Sequence, residues 1–238
     1  MLDRLRRFFS RWWTFRDIHV YCDYGLNGGG TWMAEPFIAF IEKNYPGRRF
    51  RRAYEWCAGP GFFGFALLAA GLCEELVLAD VNAKALRAEQ KTIARNGFGN
   101  RVKTFLGPGT TALPSDMKFD LVVGNPPNYF RLNPKHPDYA KWKGDLRPND
   151  PDWRIHREFY ANIGKHLDPD GLVLISEISP FQSKVYLPHS PEPYDIRERP
   201  AVDDFRDMIE AGGLTYVDTR VYIDGPGVTA EMMISRKA

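Results

Sequence analysis

The sequence has few cysteines, little net charge and no long apolar run. Its three cysteines, Cys22, Cys57 and Cys73, are odd in number and lack metal-type spacing, which favours reduced thiols in a cytoplasm over a disulfide framework. The five histidines show no ligand pair at helical spacing, so we expect no metal site. The apolar runs are too short to span a membrane. A formal charge of only +2, from 32 basic and 30 acidic side chains, lowers the expectation of a nucleic acid partner without excluding a local basic patch.

A length of 238 residues and a hydrophobic content of 44% fit one compact α/β domain. We assign residues 51–238 to this domain and residues 1–50 to an N-terminal lid or substrate segment. Within that segment, residues 1–15 are aromatic and basic and predict an amphipathic helix. Such a helix would cover the ligand pocket or mediate self-association, and a membrane-surface or nucleic acid role stays open. A second helix is predicted over 33–44.

A glycine-rich turn follows the first strong strand pattern. Gly59, Gly61 and Gly64 have the G-x-G-x-x-G spacing and precede an apolar helix, an arrangement that brings backbone N–H groups close to a ligand. About 20 residues later, Asp80 ends the next predicted strand, where a carboxylate can accept hydrogen bonds from ribose hydroxyls. These features alone describe an NAD-binding protein equally well.

Two further features favour S-adenosylmethionine over NAD. Glu55 ends the strand before the glycine turn, where its negative charge would repel a pyrophosphate and attract the amino group of a methionine moiety. Asn125-Pro126-Pro127 directly follows a run that predicts a buried parallel strand, 119–124. An amide oxygen and a proline-restricted carbonyl at this place can accept the N–H groups of a weakly nucleophilic nitrogen and align its lone pair.

From about residue 53 to 237 the sequence resembles the class I methyltransferases of the Asn-Pro-Pro-Tyr type, which include release-factor glutamine and adenine amino-methyltransferases. The resemblance implies a doubly wound, mostly parallel seven-stranded sheet with a C-terminal antiparallel hairpin. It also implies S-adenosylmethionine as the cofactor and Asn125, Pro126 and Pro127 as the catalytic turn. The cofactor contacts expected on this basis are Glu55, Cys57, Gly59, Gly61, Asp80, Val81 and Asn125.

The sequence departs from that pattern at the sites that would select the acceptor. Asn128 takes the place of the usual aromatic residue, with Tyr129 behind it, and no carboxylate stands in the segment 107–111 that would face the adenine amine. Two long insertions, 130–152 and 179–200, are our candidates for acceptor recognition. The predicted substrate contacts are Asn128, Tyr129, Tyr186 and His189. We also expect Gly29, Gly30 and Thr31 to cover the sulfonium end of the cofactor. The alternative is that this segment is a plain flexible linker.

The sequence therefore predicts an S-adenosylmethionine-dependent N-methyltransferase acting on a small molecule, an amino acid or a peptide or protein side chain. An adenine amino-methyltransferase on RNA or DNA is the alternative within this class. From other classes, an NAD-dependent oxidoreductase and a non-catalytic cofactor-binding protein stay open. The acceptor and the oligomeric state are not determined by the sequence.

Overall fold

The chain folds around a seven-stranded, mostly parallel sheet, seen in a computed structural model that describes residues 12–22, 24–127, 149–178, 184–185, 194–195, 202–225 and 228–238. Its strands are β3 (Phe50–Trp56), β4 (Cys73–Asp80), β5 (Val102–Leu106), β6 (Phe119–Gly124), β7 (Leu167–Ile178), β10 (Leu214–Gly225) and β11 (Val228–Lys237). The sheet order is β10-β11-β7-β6-β3-β4-β5. Strand β11 runs antiparallel to both of its neighbours, and the pairs among β3 to β7 are parallel. This confirms the predicted sheet and its C-terminal hairpin.

Successive strand residues point to opposite faces of the sheet, and both faces are covered by helices. On β6, for example, Leu121 and Val123 belong to one core and Val122 belongs to the other. Helices α1 and α2 pack on the first face and α4 and α5 on the second. The helices are α1 (Gly30–Asn44), α2 (Phe62–Ala69), α3 (Ala83–Asn96), α4 (Arg154–Ile163) and α5 (Val202–Ala211).

Most predicted elements lie where the sequence places them, with differences at their ends. Strand β6 has the bounds predicted for the buried strand over 119–124, whereas α1 begins three residues earlier than the helix predicted over 33–44. Helix α4 has a short 3₁₀ turn on either side. Two short antiparallel strands, β8 (Lys184–Val185) and β9 (Tyr194–Asp195), lie within the second insertion.

The N-terminal region corrects one expectation. Trp12–Phe15 forms strand β1, which pairs with β2 (Ile18–Tyr21) in a hairpin, and residues 1–11 of the predicted helix lie outside the described part of the chain. The segment Trp-Trp-Thr-Phe is aromatic and β-branched, a composition that favours a strand. Trp13 packs edge-on against Phe62 at the start of α2, with ring centroids 5.2 Å apart. The hairpin thus supports the glycine turn from outside the sheet.

Side-chain hydrogen bonds from α3 hold β2 in place. Thr92 accepts the backbone N–H of Tyr21 at 2.9 Å, and Asn96 bonds the backbone of His19 in both directions. Among the helices that the structure describes, none combines the length and the apolar character that crossing a membrane requires.

Candidate active site

A cavity of about 280 Å³ opens at the carboxyl ends of the central parallel strands. This is the edge at which open α/β sheets bind their ligands. Its walls come from the glycine turn, from the segments after β4, β5 and β6, from the start of α1 and from the first turns of α4. The lining residues include Gly28, Gly30, Glu55, Trp56, Cys57, Gly59, Asp80, Val81, Gly107, Thr110, Asn125, Pro127, Asn149, Arg154, Ile155, Glu158 and Phe159.

The glycine turn has a backbone conformation that residues other than glycine rarely adopt. Gly59 and Gly61 have φ angles of 53° and 82°, and Gly61 is the N-cap of α2. A Cβ atom on Gly61 would also lie 2.8 Å from the ring of Phe65. The two glycines therefore allow α2 to begin directly beneath the cavity, as the spacing predicts.

Glu55 lies at the predicted strand end but does not present a free charge. Its side chain is buried, and its two carboxyl oxygens accept the backbone N–H groups of Phe63 at 3.3 Å and Gly64 at 2.7 Å. Burial raises the pKa of Glu55 to about 8, against the lowering effect of these two hydrogen bonds. Near neutral pH the carboxyl is therefore mostly protonated, which corrects the expectation of an anion facing the loop. Glu55 lines the cavity and fixes the first turn of α2.

Asp80 ends β4, and its hydrogen bonds link the glycine turn to the turn before α3. One carboxyl oxygen accepts the N–H of Gly59 and the other accepts the N–H of Asn82, both at 2.8 Å. Burial raises the pKa of Asp80 above its ordinary value, and the backbone hydrogen bonds oppose that rise. Each oxygen keeps lone-pair capacity toward the cavity, so the residue fits the predicted contact with ribose hydroxyls. The next residue, Val81, is 56% exposed and lines the same cavity.

Asn125 follows β6 and reaches across the cavity to the segment before α1. Its Nδ2 donates to the carbonyl oxygen of Gly28 at 3.2 Å and lies 3.8 Å from the sulfur of Met33. Pro126 and Pro127 are buried behind it. Because both contacts involve the amide nitrogen, Oδ1 is held in a fixed orientation beside the cavity. Gly28 and Gly30 line this side, in the region expected to cover the cofactor.

Cys57 occupies the turn between Trp56 and Gly59 with a φ of 53°, an unusual value for a residue with a side chain. Burial, followed by the negative charges of Asp80, Asp150 and Glu177, raises the pKa of its thiol well above the ordinary value. A thiol in this state is a poor nucleophile. Cys57 therefore serves as a wall of the cavity.

Residues 28–136 match the family model of the methyltransferase small domain. The match covers the glycine turn, Asp80 and the Asn-Pro-Pro turn. No curated protein sequence matches the chain at a significant level.

Solved methyltransferase structures share the fold. The chain is 16% identical to a ribosomal protein L11 methylase from Lactobacillus delbrueckii subsp. bulgaricus, with a TM-score of 0.56 and coverage of 94% of this chain and 86% of that one. It is 18% identical to the glycopeptide N-methyltransferase MtfA complexed with S-adenosylmethionine, with a TM-score of 0.58 over 92% and 97% of the chains. The B. subtilis M1A22 tRNA methyltransferase TrmK is 5% identical, with a TM-score of 0.55 over 84% and 65%.

These identities show a shared fold and carry no information about the acceptor. Together, the family match and the fold support an S-adenosylmethionine-dependent methyltransferase. The cavity offers groups that suit such a cofactor, since the carboxylate of Asp80, a glycine turn and an oriented amide surround one space.

A buried cluster of Asp150, His156 and Glu177 lies behind one wall of the cavity, and the sequence did not predict it. Nδ1 of His156 is 2.6 Å from a carboxyl oxygen of Asp150, and Nε2 is 2.9 Å from a carboxyl oxygen of Glu177. Burial alone would lower the pKa of His156, but the two carboxylates raise it to about 9. Glu177 is buried against the imidazole.

Four predicted substrate contacts, Asn128, Tyr129, Tyr186 and His189, lie outside the described residues and keep their status as predictions. In the segments that the structure does describe, no three His, Cys, Asp or Glu side chains form a group that could hold a metal ion.

Proposed function

We propose that the protein transfers the methyl group of S-adenosylmethionine to a nitrogen of a small molecule, an amino acid or a peptide or protein side chain. The observation that carries this proposal is the anchored amide of Asn125 beside the cavity. The Asn-Pro-Pro turn is identified by its sequence, and its resemblance to enzymes that methylate amide and amino nitrogens supports the choice of nitrogen over oxygen or carbon.

The geometry of Asn125 suits the alignment of a poor nucleophile. The carbonyl of Gly28 holds Nδ2, so Oδ1 can accept an N–H of the acceptor, while the carbonyl of Pro126 can accept a second one. These bonds would turn the nitrogen lone pair toward the electrophilic methyl carbon that the sulfonium of the cofactor supplies. Correct placement of two reactants can account for about 7–11 kcal/mol of an activation barrier. The site therefore does not require a strong base before transfer.

Two other side chains at the cavity, those of Cys57 and Glu55, are poorly suited to a competing nucleophilic reaction. The thiol of Cys57 has a raised pKa, and the carboxyl of Glu55 accepts hydrogen bonds from two backbone N–H groups. Neither is suited to form a covalent intermediate with a methyl group. Direct displacement between cofactor and acceptor is the reaction that the described part of the site supports best.

The cofactor is tested first by calorimetric titration of the purified protein with S-adenosylhomocysteine and, separately, with NAD. We expect binding of S-adenosylhomocysteine alone. Binding of NAD alone would contradict the proposed function. Acceptors are then screened among amides, guanidines and amines with a labelled methyl donor. Addition of RNA or DNA at increasing salt distinguishes a nucleic acid acceptor, whose binding would weaken steeply with ionic strength.

The role of Asn125 is tested by Asn125→Ala, with Asn100→Ala in an exposed turn as the control. Asn125→Ala should leave the dissociation constant of S-adenosylhomocysteine nearly unchanged and reduce turnover of the acceptor at least a hundredfold, because it removes alignment and leaves the cofactor contacts. Asn100→Ala should retain full turnover. Unchanged turnover in Asn125→Ala would refute the proposed role of the amide.

A further inference from the structure

The buried cluster of Asp150, His156 and Glu177 carries an excess negative charge that the mechanism above does not use. All three side chains are inaccessible or nearly so, with relative exposures of 0%, 0% and 3%. Three aromatic rings surround the imidazole, with centroids 5.0–5.4 Å away, and keep the cluster apart from water. These rings belong to Trp56, Trp153 and Phe205.

The charge of the cluster follows from its hydrogen bonds. Each of the two short bridges, Asp150 to Nδ1 and Nε2 to Glu177, requires one proton between its partners. Two carboxylates and a fully deprotonated imidazole would carry three negative charges, and two bridging protons leave one. The net charge is therefore −1 wherever the two protons lie along the bridges.

The cluster lies directly behind the cavity wall. Asp150 accepts the backbone N–H of Ile155 at 2.8 Å, and Ile155 lines the cavity, as does Asn149, the neighbour of Asp150 in the chain. The ring of His156 packs edge-on against Trp56, which also lines the cavity. One residue layer thus separates the cluster from the cavity.

Glu55, which the sequence favoured as the source of negative charge, is neutralised by burial near pH 7. A charge that persists at this pH close to the cavity must therefore come from other groups. Arg154 and Glu158 both line the cavity and carry opposite charges, so together they add no net charge. Asp80 supplies one such charge and is occupied with backbone N–H groups and the expected ribose contact. The cluster supplies another, in surroundings of low dielectric constant where screening is weak.

We propose that Glu177, through the cluster that it forms with His156 and Asp150, is a specificity-determining residue that favours the cationic sulfonium of S-adenosylmethionine over the neutral thioether of S-adenosylhomocysteine. This inference rests on the proposed function, because it concerns the cofactor of that reaction. The consequence is weaker product inhibition, since the methyl donor and the demethylated product differ by one positive charge at the sulfur. At a separation of about 10 Å and an effective dielectric constant of about 20, one unit charge changes the affinity for a cation roughly tenfold.

The test measures the dissociation constants of S-adenosylmethionine and S-adenosylhomocysteine by calorimetry at pH 6, in the wild-type protein and in Glu177→Gln. The glutamine oxygen can still accept the proton on Nε2 of His156, so the variant keeps the bridge and removes one negative charge. We expect the ratio of the two dissociation constants to shift about 3- to 10-fold against S-adenosylmethionine, with little change for S-adenosylhomocysteine. Glu210→Gln, which removes the same charge from an exposed position on α5, should leave the ratio unchanged.

A purely structural role would weaken both ligands by the same factor, and this result would overturn the inference, as would two unchanged constants. If Glu177→Gln does not fold, Asp150→Asn removes the charge at the other end of the cluster and should shift the ratio in the same direction. A shift in the opposite direction would overturn the inference. Failure of the wild-type protein to bind either ligand would instead contradict the proposed function, so the two failures are distinguishable.

Discussion

Glu89 on α3 makes a specific prediction about stability. Its side chain is fully buried, and among the residues that the structure describes neither carboxyl oxygen has a hydrogen-bond partner. Burial raises the pKa of Glu89 well above its ordinary value, and the negative charge of Asp80 adds to this rise. The folded protein therefore holds a protonated carboxyl whose polar atoms are unsatisfied, and this is energetically unfavourable.

Replacement of Glu89 by methionine should stabilise the protein. An unsatisfied buried polar group costs about 1–3 kcal/mol, and methionine has a similar length and a similar helix propensity. For a chain of this size, roughly 3 °C per kcal/mol predicts a rise in melting temperature of about 3–9 °C. Differential scanning calorimetry of Glu89→Met against the wild type measures this change. Gln90→Met, at the exposed neighbouring position of α3, is the control and should change the melting temperature little.

The stabilisation that Glu89→Met provides should increase as the pH rises. Below pH 4.5, the ordinary value for glutamate, the carboxyl is protonated in both the folded and the unfolded chain. As pH rises above 4.5 the unfolded chain releases the proton, whereas the folded chain retains it, so the wild type loses stability. Glu89→Met lacks this loss, and its advantage should be larger at pH 8 than at pH 5.5. A variant that is no more stable than the wild type at either pH would show that Glu89 is satisfied in solution and would refute the reasoning.

Three further substitutions test the site. Asp80→Ala should weaken binding of S-adenosylhomocysteine about 10- to 100-fold in calorimetry, because charge-assisted hydrogen bonds of about 1.5–3 kcal/mol are lost, and a normal dissociation constant would reject the ribose assignment. Cys57 has a φ of 53°, so Cys57→Val should lower the free energy of unfolding by about 1–2 kcal/mol more than Cys57→Gly does, as measured by urea denaturation. The reverse order would contradict a strained turn at this position. Gly64→Ala should lower the free energy of unfolding by about 1–3 kcal/mol in the same assay, because the added Cβ would lie 2.8 Å from Oε2 of Glu55. Gly99→Ala adds a Cβ in open space and should be nearly neutral. Equal effects of the two substitutions would argue against close packing at Gly64.

The sequence predicted the elements whose signals are local and periodic. The apolar run of β6 and the glycine turn before α2 each lie within ten residues, and each appears in the structure where the pattern places it. Asp80 and Asn125 were found because they directly follow such runs. Parallel strands bring their carboxyl ends to one edge, which is why residues 45 positions apart line the same cavity.

The expectations that changed depended on long-range contacts. Four residues of β1 are too few to distinguish a strand period from a helix period, and the pairing with β2 decides the outcome. The charge state of Glu55 depends on its burial under α2, and no sequence pattern reports that burial. His156 and Glu177 are 21 residues apart on different elements, so their contact has no signature in the sequence.

The first turns of α4 form one wall of the cavity, and this has a consequence for how the protein can be divided. The family match ends at residue 136, before Asn149, Ile155 and Phe159 contribute their wall and before β7 provides Glu177. A fragment cut to the matching region would therefore lack part of its own binding site. Ligand affinity and global folding are coupled in such an arrangement, because every ligand-binding conformation requires elements from both halves of the chain. Ligand binding would thus stabilise the packing of the early part of the polypeptide against the late part.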